Sequence, residues 1–530
     1  MALTKVSYSM IEGAVANVLD FGATGDGIAD DTAEIQAAIN SFGAEGGTVF
    51  FPAGSYKTTT ALSMVANVSL VGEGANSSII KPVGCHGVEF GYSAGFQYTL
   101  ISQIGFNGFD GVNASTYTAI HQTPPDDFAT EIYGINIKDV YVTYFDTAIY
   151  FSSTRNVIID NCWFQWINDG IILVGNALGV NITNNWIICI GSGAVRYGVF
   201  VDGYTFSISG YRRPEHIFVH GNQLFNCTRA IYINDGLYIS IFAADIYATE
   251  YGIAFSTIAG NLNVSNCYIE MNGNDSIGIF GAGQNTPLFG NANAFENNYF
   301  ICSGGTNTSG IVLGTSATTN QFWNRVVGNS FSGFSRFDIS LFNTGFLTVL
   351  DNKCFSTVPT YSISFNGPVL GLVFIDQNYC SKDIYQDPNT YTSLNYVLGT
   401  NTINATTTSY GKQSLVSAPP TTGTWPRGSR VYNSAPASGG YVGWVCTVGG
   451  IDAIGSITSG SANLTLTSAA GANGQAITVV GAGAAGVDLT TTISSGGGTV
   501  NIVLATTAST TVTNAVVVGP ETWQTFGLIS

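Results

Sequence analysis

The feature that most constrains this chain is a repeat. Between residues 135 and 380, ten segments share one pattern: an alternating strand, a two-residue polar or small corner, then a second strand. "INIKDVYV" (135–142), "VNITNNWI" (180–187) and "VFIDQNYC" (373–380) are three of them. The corners fall at Asp139, Asn161, Asn184, Gly221, Ala243, Asn266, Asn297, Gly328, Asp351 and Gln377. Their intervals of 22, 23, 37, 22, 23, 31, 31, 23 and 26 give a base period of 22–23 with inserts in three places. Asn follows the corner at Asn185, Asn222, Asn298, Asn329, Asn352 and Asn378, and Cys162 and Cys267 take the same slot. Stacked one rung apart, roughly 4.8 Å, such amides can hydrogen-bond along a ladder and satisfy the turn backbone. A third strand returns at the same period with apolar pairs, including Ile149/Phe151, Ile171/Leu173, Val199/Val201, Ile231/Ile233, Ile277/Ile279 and Ile363/Phe365. Three strands per turn with a side-chain period of two predict an all-β chain, a right-handed parallel β-helix.

The glycine- and aspartate-rich stretch "NVLDFGATGDGIADDT" (17–32) reads as the start of that helix. A dinucleotide loop needs G-x-G-x-x-G within a βαβ unit, whereas these glycines read G-x-x-G-x-G and no such unit follows. Asp31 is the expected N-cap, with Glu34 three residues on and Ile35 and Ile39 on one face of a short helix. Such a helix hides the open end of a β-helix. "NVLDFGATGDGIADDTAEIQAAINSFGAEGGTVFFPAGSYKT" resembles the opening of the pectate-lyase superfamily domain, and "KVSYSMIEGAVANVLDFGA" is similar to the lead-in of bacteriophage tailspikes. The resemblance implies a homotrimeric phage adhesin at the virion tail that binds, and often depolymerises, capsular or O-antigen polysaccharide during host adsorption. Tailspikes usually carry an anchoring domain ahead of this segment. The short lead-in here implies docking on another tail protein, or a shortened chain.

Composition narrows the partners. The net charge of −17 argues against nucleic acid. No run of about 18 apolar residues is present for a membrane span, and "MALTKVSYSM" lacks the core of a signal peptide. Nine single cysteines without CxxC predict neither a zinc site nor a disulfide framework. No metal or cofactor is expected. Four regions are expected: lead-in and cap (1–60), β-helix (61–385), transition (386–425) and a small C-terminal β module (426–530). The module carries a Gly/Ala/Ser/Thr-rich insert at 451–520, read as a small sandwich.

Chemistry on a β-helix sits on outward positions. Hydrolysis needs two carboxyl groups; β-elimination needs a base and a cation for the sugar carboxylate. On the third strand, Phe200 and Asp202 face outward, then Tyr232 and Asn234 a rung later, with Asp235 following. Asp202 and Asp235 are the first candidate pair, and Glu215 and Glu250 are further acids. Asp245 and Glu270, on the strand after the corner, are a rival pair, and Asp169 is a third candidate. Arg196, Arg212, Arg213 and Arg229 crowd into one region, with Tyr204, Phe206 and Tyr211 in the insert "GYTFSISGYRRPEH" (203–216). These would suit an acidic oligosaccharide. Turn caps and salt bridges are the plain alternatives for the same residues. His216 and His220 stand too far apart on a strand to chelate one metal, though His216 could shuttle a proton. Trp163, Trp186, Tyr268, Tyr299 and Tyr379 form an outward stripe read as a trimer contact.

Overall fold

The computed structural model describes residues 15–528 except 44, 92–97, 124–130, 191–194, 207–209, 257–258, 283–291, 315–322, 343–346, 360, 367–372, 387–395, 399–400, 404–414, 417, 420–428 and 434–439. The lead-in at 1–14 and most of the expected transition at 386–425 therefore lie outside the described residues. The chain divides into two units, 1–410 and 411–530.

The first unit is a parallel β-helix, with 41 strands among the described residues. Each rung lies in register on the next. Ile137 pairs Ile159, Ile159 pairs Ile182, Ile182 pairs Val219 and Val219 pairs Ile241. These strands form the first sheet, the strands after each corner form the second, and the apolar-pair strands form the third. All ten predicted corners adopt positive φ, from 51° at Ala243 to 69° at Gly328. The corner must reverse within two residues, and the left-handed conformation does so most readily with Asn, Asp or Gly. Ala243 lacks both glycine's freedom and a local hydrogen-bonding side chain. Ala243→Gly or Ala243→Asn should therefore stabilise the helix by about 1 kcal/mol, read as a raised midpoint in chemical denaturation.

Behind each corner the amide ladder forms. Asn298, Asn329, Asn352, Asn378 and Asn401 bond one to the next at 2.9–3.0 Å through Nδ2 and Oδ1. Asn401 continues the ladder, and the parallel sheet runs to Thr402–Ile403, beyond the boundary expected at 385. The interior is lined by the predicted apolar residues, with Ile149, Ile171, Val199, Ile231, Ile253, Ile311 and Ile339 at 0% exposure. One pair shifts: Ile253 lies opposite Ile279 and Phe255 opposite Gly281, so Ile277 is half-buried outside the column. Just ahead of these inward pairs runs a column of small residues from Ala148 through Gly310. A Cβ on Gly310 would lie 2.5 Å from the Phe331 ring, so the slot accommodates the aromatic packing from the second sheet. Asp338 follows Gly310 in this slot and is fully buried.

The cap helix spans Thr32–Asn40 and buries Ile35, Ala38 and Ile39. Asp31 does not cap it with its side chain. Its buried carboxylate instead accepts the backbone N–H groups of Thr24 at 2.5 Å and Gly25 at 3.1 Å. The opening glycine-rich turn is thus pinned by its own aspartate.

In the second unit, Leu415–Val416, Arg430–Asn433, Tyr441–Val448 and Thr522–Leu528 make a four-stranded sheet. The expected sandwich is instead a closed six-stranded barrel built from strands between Ile451 and Gly519. Its core includes Ile451, Leu464, Ile477, Ile493, Ile502 and Val517. Closure leaves this nearly uncharged segment without free strand edges that could pair with another chain.

Candidate functional site

Strands Tyr197–Asp202 and Gln223–Ile233 are neighbours on the third sheet. Val199 and Val201 point inward, so Phe200 and Asp202 point outward by the period of two. Phe200 stacks on Tyr232 with centroids 5.9 Å apart and planes 8° from parallel. The Asp202 carboxylate accepts the Gly203 N–H at 2.7 Å and Asn234 Nδ2 at 2.9 Å. Across the rung Asp202 therefore meets Asn234, with Asp235 one residue further on.

Asp235 has a different environment. It is fully buried, accepts a hydrogen bond from the Tyr211 phenol, and lies 3.5 Å from Arg213 Nη1. Burial pushes its carboxyl above the usual range and the Asp202 charge adds to that, while Tyr211 and Arg213 oppose. The insert supplies both partners. Tyr204–Phe206 and Gly210–Arg212 form an antiparallel hairpin, with Tyr204 opposite Arg212. Tyr211 crosses directly over Gly203, where any Cβ would collide with the phenol oxygen at 2.0 Å.

The other candidates are placed as follows. Arg229 clasps Glu250 at 2.9 Å and 2.7 Å through two nitrogens and lies over the rings of Tyr232 and Tyr251. Arg213 and Arg229 thus already face carboxylates, and Arg212 Nη1 donates to the Tyr211 carbonyl at 2.8 Å. The carbonyl of Arg196 accepts the Thr228 and Arg229 N–H groups. Asp245 lies opposite Tyr268, and Glu270 opposite Tyr247, so that rival pair is separated diagonally. Tyr268 donates to Glu270 at 2.9 Å. Asp169 accepts the Tyr197 N–H at 2.9 Å, and burial, with Asp146 adding, raises it to about 6. Glu215, His216 and His220 share a first-sheet strand, where His216 stacks on Tyr238 and His220 Nε2 lies 3.1 Å from Ser240 Oγ.

The aromatic stripe is longer than the sequence pattern suggests. Rings run Tyr141, Trp163, Trp186, Phe225, Tyr247, Tyr268 and Tyr299, with Trp163 and Trp186 stacked at 4.8 Å. Trp163 on Trp186 and Phe225 on Tyr247 are stacked, the other contacts are tilted or edge-on, and Trp163, Trp186 and Tyr299 stay exposed, so the stripe presents the kind of contiguous apolar surface that marks an interaction site. Among the described residues, no cluster of three or more His, Cys, Asp or Glu could hold a metal ion.

The periodic reading missed a polar cluster at the N-terminal end of the third sheet: His86, Glu89, His121 and Tyr150. The early rungs carry irregular inserts, so their alignment with later ones is not visible in spacing alone. Buried Asp338 had a visible signal, as a charged residue directly ahead of the inward pair Ile339/Leu341.

Residues 15–254 match the family described as rhamnogalacturonase A/epimerase, pectate lyase-like. That match spans the cap and roughly the first half of the β-helix, so this part of the chain is similar to a pectate-lyase-like family. Two curated relatives overlap only parts of the chain. Mannuronan C5-epimerase AlgE2 of Azotobacter vinelandii is 48% identical over 75 residues, 13% of this chain and 8% of that protein. The tail spike protein of Shigella phage Sf6 is 22% identical over 268 residues, 48% of this chain and 42% of that protein. The chain thus spans less than half the length of either relative. Among solved structures, the pre-mature gene product 12 of bacteriophage phi29 superimposes with a TM-score of 0.50 at 15% identity. That match covers 75% of this chain and 57% of the phage chain. At that identity the likeness concerns fold, and it fits the parallel β-helix described above.

Proposed function

We propose that this protein is a phage tailspike that binds and hydrolyses a bacterial surface polysaccharide, capsule or O-antigen, during host adsorption. The observation that carries this reading is the Asp202/Asp235 pair: two carboxyl groups on adjacent rungs, in unlike environments, beside the Phe200/Tyr232 floor. Pushing two carboxyls apart in protonation is how one site supplies both an acid and a base or nucleophile. Asp235, raised by burial, is the acid that protonates the glycosidic oxygen as the C–O bond breaks. Asp202 is the carboxylate that attacks or directs water at the anomeric carbon. Tyr211 must leave Asp235 for the glycosidic oxygen to take its place. The relatives, a mannuronan C5-epimerase and a phage tail spike protein, support a polysaccharide ligand. The same reading places the protein on the virion tail as a homotrimer joined through the second-sheet stripe, alongside other tail proteins.

The test is mass spectrometry of a panel of capsular and O-antigen polysaccharides after incubation with the protein. Discrete oligomers without unsaturated ends are expected, and Asp202→Asn or Asp235→Asn should each slow their release by about 10²–10⁴-fold while retaining binding. Unsaturated ends would instead assign a lyase. A second reading, an adhesin that binds without cutting, is favoured by one observation: Tyr211 and Arg213 enclose the Asp235 carboxyl. Intact polymer that the protein binds would decide for it.

A further inference from the structure

His86 and His121 are two of the four histidines in the chain. His121 is paired in register with Glu89 on one side and Tyr150 on the other. The same column continues through Ile172 to Phe200 and Tyr232. From Glu89 to Tyr232 it spans five rung steps, roughly 24 Å, the reach of a short oligosaccharide rather than of one sugar.

At the Glu89 end the side chains are ordered by one another. His86 stacks on His121 at 4.1 Å and 8°, His121 on Tyr150 at 5.4 Å, and Tyr117 meets His86 edge-on at 5.3 Å. The Thr118 N–H donates to His86 Nδ1 at 3.0 Å, which assigns that ring's proton to Nε2. His121 Nδ1 lies 3.6 Å from Glu89 Oε1 and is buried without a hydrogen bond. Thr123 Oγ1 donates to the Glu89 carboxylate, which stays one-third exposed. Burial, and then the neighbouring His86, hold His121 below its usual range, so the imidazole is neutral at pH 7 while Glu89 opposes that shift. Burial, and then Tyr204 on the hairpin beside Asp202, push the Tyr150 phenol above its usual range, so it keeps its proton to donate.

A carboxylate, a neutral imidazole and a phenol in one outward column offer the mixed donors and acceptors that ring hydroxyls require. Among the described ion pairs Glu89 faces no Lys or Arg, so an anionic sugar would meet an uncompensated negative charge. We infer that Glu89, His121 and Tyr150 form a second glycan subsite, at the N-terminal end of the third-sheet face, that takes a neutral sugar unit through its ring hydroxyls. This inference rests on the proposal that the third-sheet face around Asp202 and Asp235 binds a polysaccharide.

The experiment uses the full chain carrying Asp202→Asn, so that bound glycan is not turned over. Neutral O-antigen and capsular polysaccharides are screened, with sodium alginate and polygalacturonate as acidic comparators. Long and short oligomers of the neutral polymer that binds are then titrated calorimetrically at pH 7. Glu89→Gln, His121→Gln and Tyr150→Phe should each weaken the long oligomer about tenfold and leave the short one unchanged. Tyr150→Phe retains the ring stack, so it keeps the test valid should the other two variants unfold. Unchanged affinity for the long oligomer overturns the subsite and leaves the Asp202 reading intact. Binding confined to the acidic comparators overturns it as well, and binding to no polymer overturns both.

Discussion

Asn329→Ala is expected to destabilise the β-helix by about 4 kcal/mol, far more than truncation of a surface asparagine. Asn329 Oδ1 accepts both the N–H and the Nδ2 of Asn298 at 3.0 Å. Its own Nδ2 donates to the Phe295 carbonyl at 2.8 Å and to Asn352 Oδ1 at 3.0 Å. Alanine removes all four bonds and leaves polar atoms from neighbouring rungs buried without partners. Each such orphan costs about 1–3 kcal/mol. Asn263→Ala, an exposed position on the neighbouring first sheet, is the control and should change stability by less than about 0.5 kcal/mol. Denaturant midpoints of the two variants check the contrast; equal shifts would remove the ladder from the account of stability.

Asp338→Asn should stabilise the protein at pH 8 and have little effect at pH 4. Asp338 is fully buried, and burial raises its carboxyl to about 7, although Ser356 and Ser362 lie close enough to favour the charge. Its unfolded value is near 3.9. Below that, both states are protonated and the group has no effect on folding. Between about pH 4 and pH 7 the unfolded chain loses its proton while the folded chain keeps it, so stability falls as pH rises. Above the folded value the loss is complete, at most about 4 kcal/mol for such a span. The melting temperature of the wild type should therefore drop between pH 5 and pH 8, and that of Asp338→Asn should drop much less. Parallel pH profiles for the two proteins would show that Asp338 is already ionised in the fold.

These residues also show what could be read from the chain. Corners such as Asp139 and Asn184 are legible because a tight reversal restricts residue type, and that restriction repeats every rung. The amide ladder was legible for the same reason. Asn401 escaped because its rung sits in a Thr- and Asn-rich stretch where a single amide carries no contrast. The barrel escaped because alternation alone does not distinguish a sandwich from a closed sheet. At the site, Asp202, Phe200 and Tyr232 followed from the two-residue period. The burial of Asp235 did not, because it depends on a phenol delivered by a hairpin whose folding back over Gly203 leaves no periodic trace. Arg213 and Arg229 looked available for an acidic sugar only until their carboxylate partners were known. The stacking of His86 on His121 joins irregular rungs that no fixed period aligns.

The barrel leaves and rejoins its host sheet at one place. Ile451 and Gly519 lie opposite each other, and just outside them Val448 is paired with Thr522. Entry and exit are thus neighbours on adjacent antiparallel strands, a separation that a tight turn can bridge. The host sheet carries its own register through pairs such as Trp444 with Thr525, and Gln475 of the barrel ties the two crossings by donating to the Gly449 and Pro520 carbonyls at 2.7 and 2.9 Å. The barrel is therefore a cassette: it can be excised, or exchanged between proteins by recombination at its two ends, without a redesign of the scaffold that carries it.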